Sequence, residues 1–300
     1  MKRTLLGLAR LTRFDEYAYL VIITTLLGAA AAGGDFNWRL VILLLANWLA
    51  VGFAYMINDI EDAPDDALST IRTKCNPVSS GLISTNKGRI AAFLTSLVAI
   101  GLFASLGLWP LIFGIICIIL GILYSNKSIR LKTIAFLDVV INGLILAGLP
   151  FLSGYFTYAS RLNKTWFWSF IFVMSISIYG ELYNELKNLK GDRLARFQHT
   201  AIALGERAAE LLLFGMLILA FSTGMISFLL MDLTPSWVIL MMTALLILFA
   251  LPTLIKIQRG EKSVSSQGFL QKPMERAAAL ALIFHFLLPW LSQLWGRGPF

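Results

Sequence analysis

Apolar residues in this chain neither alternate nor recur on one helical face; they run in blocks. Nine blocks, at roughly 15–33, 38–57, 88–107, 109–124, 133–157, 165–185, 208–231, 236–255 and 277–296, approach or exceed the ~20 apolar residues that a helix needs to cross hydrocarbon. They are too long for barrel strands, and only helices or closed barrels satisfy the backbone in lipid. The pattern predicts an all-α bundle of about nine transmembrane helices. The opening stretch MKRTLLGLARLTRF differs, because Arg10 and Arg13 interrupt its apolar run before a signal-peptide core could form. Residues 1–14 are expected to form an amphipathic helix lying at the membrane interface. Neither a repeat nor a low-complexity linker divides the chain, so residues 1–300 read as a single integral-membrane domain.

Composition agrees with lipid as the main solvent: 58% of residues are hydrophobic and 14% charged, more apolar surface than one globular core could bury. The cations fix an orientation. Of the 25 Lys and Arg residues, 21 fall in the N-terminal tail and the even-numbered loops; only Arg39, Arg161, Lys164 and Arg297 fall on the other side. This bias predicts a cytoplasmic N-terminus, with the C-terminus across the membrane. It also explains the net charge of +8 without a nucleic-acid partner, since juxtamembrane cations favour anionic headgroups. Cys75 in a loop and Cys117 in a span give no reason to expect a disulfide.

Three polar segments stand at the cytoplasmic ends of spans. In NDIEDAPDD, Asn58, Asp62 and Asp66 fall at i, i+4 steps, so a continuing helix would stack them on one face with Asp59 beside them. Stacked like charges repel unless a cation bridges them, and carboxylate and amide oxygens suit Mg²⁺. The same run also reads as a solvated acidic loop, a reading that Pro64 favours. YSNKSIRLK sets Lys127, Arg130 and Lys132 close to Tyr124, a group that could hold a phosphorylated ligand or simply orient the chain. ELYNELKNLKGDRLARFQHT repeats the oxygen spacing at Asn188 and Asp192, one to two turns after Glu181, Asn184 and Glu185; a helix laced with salt bridges would look similar. His199 has no ligand partner at a helpful spacing and reads as a surface residue; His285 reads as a helix-packing residue. Together, oxygen clusters and cations on one membrane face match a diphosphate carried on a lipid.

These residues resemble the UbiA superfamily of intramembrane prenyltransferases. NDIEDAPDD is similar to its NDxxDxxxD motif, RTKCNPVSSG to its RTxxRPxxSG continuation, YSNKSIRLK to its YSxxxxRxK loop and NLKGDRLARFQHTAIALG to its second acidic motif. Asn188 departs from the usual Asp, Asn76 from Arg and Arg196 from Gly. The resemblance implies a bundle whose cytoplasmic cap covers a central cavity. It also implies Mg²⁺ held by Asn58, Asp59, Asp62, Asp66, Asn188 and Asp192, and a prenyl diphosphate bound by Arg72, Lys74, Lys127, Arg130 and Lys132. Asp62, Asp66, Asp192 and Tyr124 would then serve the transfer of the polyprenyl group, through an allylic carbocation, to a lipophilic or membrane-surface acceptor. An intramembrane terpene cyclase of the same family is the nearest alternative. A transporter or scaffold is a further one, against which the ionisable residues gather at helix ends rather than at the midplane.

Overall fold

The computed structural model describes residues 2–194, 197–231 and 268–294, with the single positions 244, 248 and 255. All regular structure among them is helical. The helices are α1 Lys2–Leu11, α2 Phe14–Ala31, α3 Trp38–Asp66, α4 Thr70–Cys75, α5 Thr85–Leu106, α6 Leu108–Ser125, α7 Leu137–Gly143, α8 Leu149–Tyr158, α9 Lys164–Leu194, α10 Thr200–Leu204, α11 Glu206–Leu230 and α12 Gly268–Leu294. A wide π turn, Leu144–Gly148, joins α7 to α8, and a 3₁₀ turn covers Leu131–Thr133. Seven helical segments among the described residues are long and apolar enough to span a membrane: α2, α3, α5, α6, the α7–α8 unit, α9 and α11. They coincide with the first seven blocks read from the sequence. Most of the ninth block lies in α12; the eighth, 236–255, falls outside the described residues but for three single positions.

Two helices overshoot the rest. At 29 and 31 residues, α3 and α9 run to about 44 and 46 Å, well beyond the ~30 Å of hydrocarbon. Their last turns therefore project from the apolar slab, and those turns carry the two acidic motifs. Pro64 does not end α3 as a loop reading would require. Bonds from the following segment brace the turn: Asn76 Nδ2 donates to Asp59 O at 2.8 Å and Ser79 Oγ to Ala63 O at 2.8 Å.

The helices pack through small residues and one buried polar knot. An ideal Cβ on Gly28 would stand 2.2 Å from Phe151 O, and one on Gly154 2.5 Å from Thr25 O, so α2 and α8 cross main chain to main chain. Beside that crossing, Asn47 of α3 donates to Thr25 Oγ1 at 2.9 Å and to Pro150 O at 3.3 Å, while Ser153 Oγ donates to Asn47 Oδ1 at 2.9 Å. Fully satisfied in this way, a buried amide ties three helices together; losing one partner would cost about 1–3 kcal/mol.

Candidate active site

A cavity of about 400 Å³ opens where the ends of α3, α6 and α9 meet. From α3 it is lined by Asn58, Asp62, Asp65 and Asp66; from α9 by Glu181, Asn184, Glu185, Asn188 and Asp192. Arg72 of α4, Tyr124 at the end of α6 and Arg130 and Lys132 of the next loop add to its polar wall. Two acidic motifs more than 120 residues apart in the chain thus face one space with three cations.

The α3 carboxylates meet cations from other elements. Arg130 Nη2 lies 3.2 Å from Asp62 Oδ1 and 2.8 Å from Asp65 Oδ2, and Lys132 Nζ lies 2.5 Å from Asp62 Oδ2. Arg130 takes the left-handed backbone region, with φ at 47°, a conformation costly for a side-chain-bearing residue and characteristic of functional sites. That reversal turns both cations back onto α3. Burial pushes the Lys132 pKa below its ordinary value, against the pull of Asp62. Asp66 is held differently: Asn76 Nδ2 donates to its Oδ2 at 2.9 Å, while Asn76 Oδ1 accepts from the backbone of Val78 and Ser79.

Of the α9 carboxylates, Glu185 holds backbone, while Glu181 accepts from Asn142 Nδ2 at 2.6 Å. Glu185 Oε2 accepts from Ala201 N at 2.8 Å and lies 3.1 Å from His199 Nδ1. Asp138, at the start of α7, accepts from Thr200 N at 2.5 Å and from the Thr200 hydroxyl, which in turn accepts from Phe136 N at 2.7 Å. Among the described residues, Asp192 is the α9 carboxylate that meets an arginine, with Arg72 Nη2 at 3.0 Å. The Arg72 guanidinium also lies over the Phe197 ring at 4.7 Å, joining the α4 segment to residues 197–199.

Three residues expected in the site do not line this cavity. Asp59 sits one residue, about 100°, around α3 from Asn58 and faces Arg13, whose Nη1 is 3.4 Å from Asp59 Oδ1. Lys74 is exposed, and Lys127 stands at the rim, 3.8 Å from Asp65. Asp65, Asp138, Thr133, Phe197 and Gln198 line it without having been expected. His199, expected on the surface, is 8% exposed. Burial disfavours its protonated form, but the hydrogen bond to Glu185 and the charges of Glu185, Asp192 and Asp138 hold its pKa above the usual histidine value. Its Nε2 is 3.5 Å from Asp192 Oδ2, too poorly placed for a hydrogen bond. Arg196 lies outside the described residues, and among those described no three Asp, Glu, His or Cys side chains form a ready-made metal cluster.

Residues 21–272 match the UbiA prenyltransferase family. A lycopene elongase/hydratase of Haloarcula japonica is 30% identical over 220 residues, covering 68% of this chain and 69% of that protein. A digeranylgeranylglyceryl phosphate synthase of Saccharolobus solfataricus is 25% identical over 223 residues, covering 68% of this chain and 76% of that one. The solved structure of a UbiA homologue from Archaeoglobus fulgidus bound to GPP and Mg²⁺ superposes with a TM-score of 0.69 at 19% identity, covering 94% of this chain and 98% of that chain. At that identity the likeness is one of fold. Its apolar helices and its matches make the chain an integral, multi-pass membrane protein. With most of its length matched, it belongs to the UbiA prenyltransferase family and so to the prenyltransferase enzymes.

Proposed function

We propose that the protein is a Mg²⁺-dependent prenyltransferase that moves a polyprenyl group from a prenyl diphosphate to a membrane-associated acceptor through an allylic carbocation. The observation that carries this reading is the convergence of the two acid and amide sets, with Arg72, Arg130 and Lys132, on one cavity at the end of an apolar bundle. The donor chemistry fits the metal: Asn58, Asp62, Asp66, Asn188 and Asp192 offer only the hard oxygens that Mg²⁺ takes. These five would hold it. Asp59, Lys74 and Lys127 have no part in this set. The GPP and Mg²⁺ in the Archaeoglobus fulgidus homologue support the same pairing of donor and metal.

When bound, Mg²⁺ supplies positive charge to the diphosphate oxygens as the C–O bond breaks. The chain's own cations act at the same place. Arg72, Arg130 and Lys132 are fixed where negative charge develops on the leaving group, and Arg130 Nε is a buried donor with no hydrogen-bond partner among the described residues. Tyr124 would present its ring to the carbocation. Phe197, beneath Arg72, helps hold its guanidinium at the cavity. The excess of Lys and Arg in the N-terminal tail and even-numbered loops supports a cytoplasmic N-terminus and a cytoplasmic cap, with residues 1–14 at the interface of a single domain, 1–300.

The test uses purified full-length protein in lipid nanodiscs with radiolabelled geranylgeranyl diphosphate and a membrane extract as acceptor source. Label should pass to a larger lipid with Mg²⁺ and not after chelation. Release of a cyclic hydrocarbon without any acceptor would replace transferase by cyclase, and turnover indifferent to chelation would defeat the metal's role.

A further inference from the structure

A second chamber of about 310 Å³ adjoins the first, the two sharing Asn58, Tyr124, Glu181 and Asn184 as a common wall. A molecule in it would reach the same junction as the reacting end of a donor in the first. We infer that this second chamber is the acceptor site, and that it takes an uncharged lipophile bearing one hydrogen-bonding oxygen, such as a phenol or an isoprenoid alcohol. The inference rests on the prenyltransferase reading and adds to it the class of acceptor.

Charge excludes an anion. Glu16, Glu181 and Glu275 face the chamber, and Arg13 is the one cation among its described lining residues. Arg13 is already committed: its Nε and Nη2 form a fork on Glu16 at 2.8 and 2.6 Å, its Nη1 reaches Asp59, and its guanidinium covers the Tyr55 ring at 5.1 Å. A carboxylate or phosphate entering here would meet like charge and a guanidinium already paired with Glu16 and Asp59.

A second observation asks for an oxygen. Ser177, on α9 one turn before Glu181, lines the chamber and is 5% exposed, and its Oγ has no hydrogen-bond partner among the described residues. A buried hydroxyl without a partner is unfavourable, and a ligand oxygen would satisfy it. The floor is apolar. The π turn supplies Ile145 and Leu146 to it, and such turns recur at functional sites.

The test measures equilibrium binding of naphthol, naphthalene and hydroxynaphthoate at pH 7 to the full chain in nanodiscs with Mg²⁺ and a non-reactive geranyl thiodiphosphate. Naphthol should bind at least roughly tenfold more tightly than either analogue. Ser177→Ala should erase the preference for naphthol over naphthalene, Ser177→Thr should keep it, and affinity for the thiodiphosphate should be the same in both. Hydroxynaphthoate binding as tightly as naphthol, an unchanged preference in Ser177→Ala, or no binding of any of the three would overturn the inference. Failure of the unsubstituted chain to bind the thiodiphosphate with Mg²⁺ would instead overturn the prenyltransferase reading itself.

Discussion

The ends of α3 and α9 carry similar runs of acid and amide side chains, yet they use them differently. At α3 the carboxylates of Asp62 and Asp65 meet side-chain cations, those of Arg130 and Lys132. Such pairs can be exchanged: a phosphate can take the cation and a metal the carboxylate. At α9, Glu185, with Asp138 of α7 beside it, accepts from the main chain of residues 200 and 201, and a bond of that kind leaves only if the loop leaves. Proximity to the cavity therefore does not sort these acids by role. On the proposed reading, the donor facing each carboxylate does.

The largest expected effect falls on the exchangeable set. Asp62→Ala and Asp192→Ala should each lower transfer of radiolabelled prenyl by about 10²–10³-fold, the scale of losing charge stabilisation at a developing anion, with little change in thermal unfolding. Next comes Asn76→Ala, which frees Asp66 and the turn at Pro64; transfer should fall by about 10–100-fold, as for other residues that orient metal ligands, and the apparent Mg²⁺ affinity should fall with it. Asp138→Ala attacks the clamp. It strands the Thr200 donors and should lower unfolding free energy by about 1–3 kcal/mol, read by denaturant titration in detergent, whether or not donor is present. If Asp138→Ala abolished transfer at full stability, the division between exchangeable and clamping acids would be broken. Asn188→Asp adds a negative charge to the proposed metal set and should raise apparent Mg²⁺ affinity by roughly a few-fold. Lys74→Ala, at an exposed side chain away from the cavity, should leave transfer within about twofold.

The spans were legible because an apolar block of this length has no other stable environment, and the described helices begin and end within a few residues of those blocks except where α3, α9 and α12 run past them. The convergence of Asn58, Arg130 and Asp192 was legible too, since the ends of the second, fourth and sixth spans must emerge on one face. What escaped depended on direction and on distant partners. Nothing local tells Asp59 from Asp62 as a ligand; the helical turn between them points one at Arg13 and the other at Arg130. Asp138 is a lone acid inside an apolar block, and its partner Thr200 lies 62 residues on. His199 reads as solitary because Glu185, its partner at 3.1 Å, precedes it on a helix that the chain has by then left.

The bare crossing at Gly28 and Gly154 has a mechanical consequence. With no side chains between the two main chains to compress or swap rotamers, the contact has one separation and no slack. The α2–α8 pair is thus the least compressible contact of the two helices, and on the proposed reading any breathing that admits a prenyl substrate falls to the other flanks of the bundle.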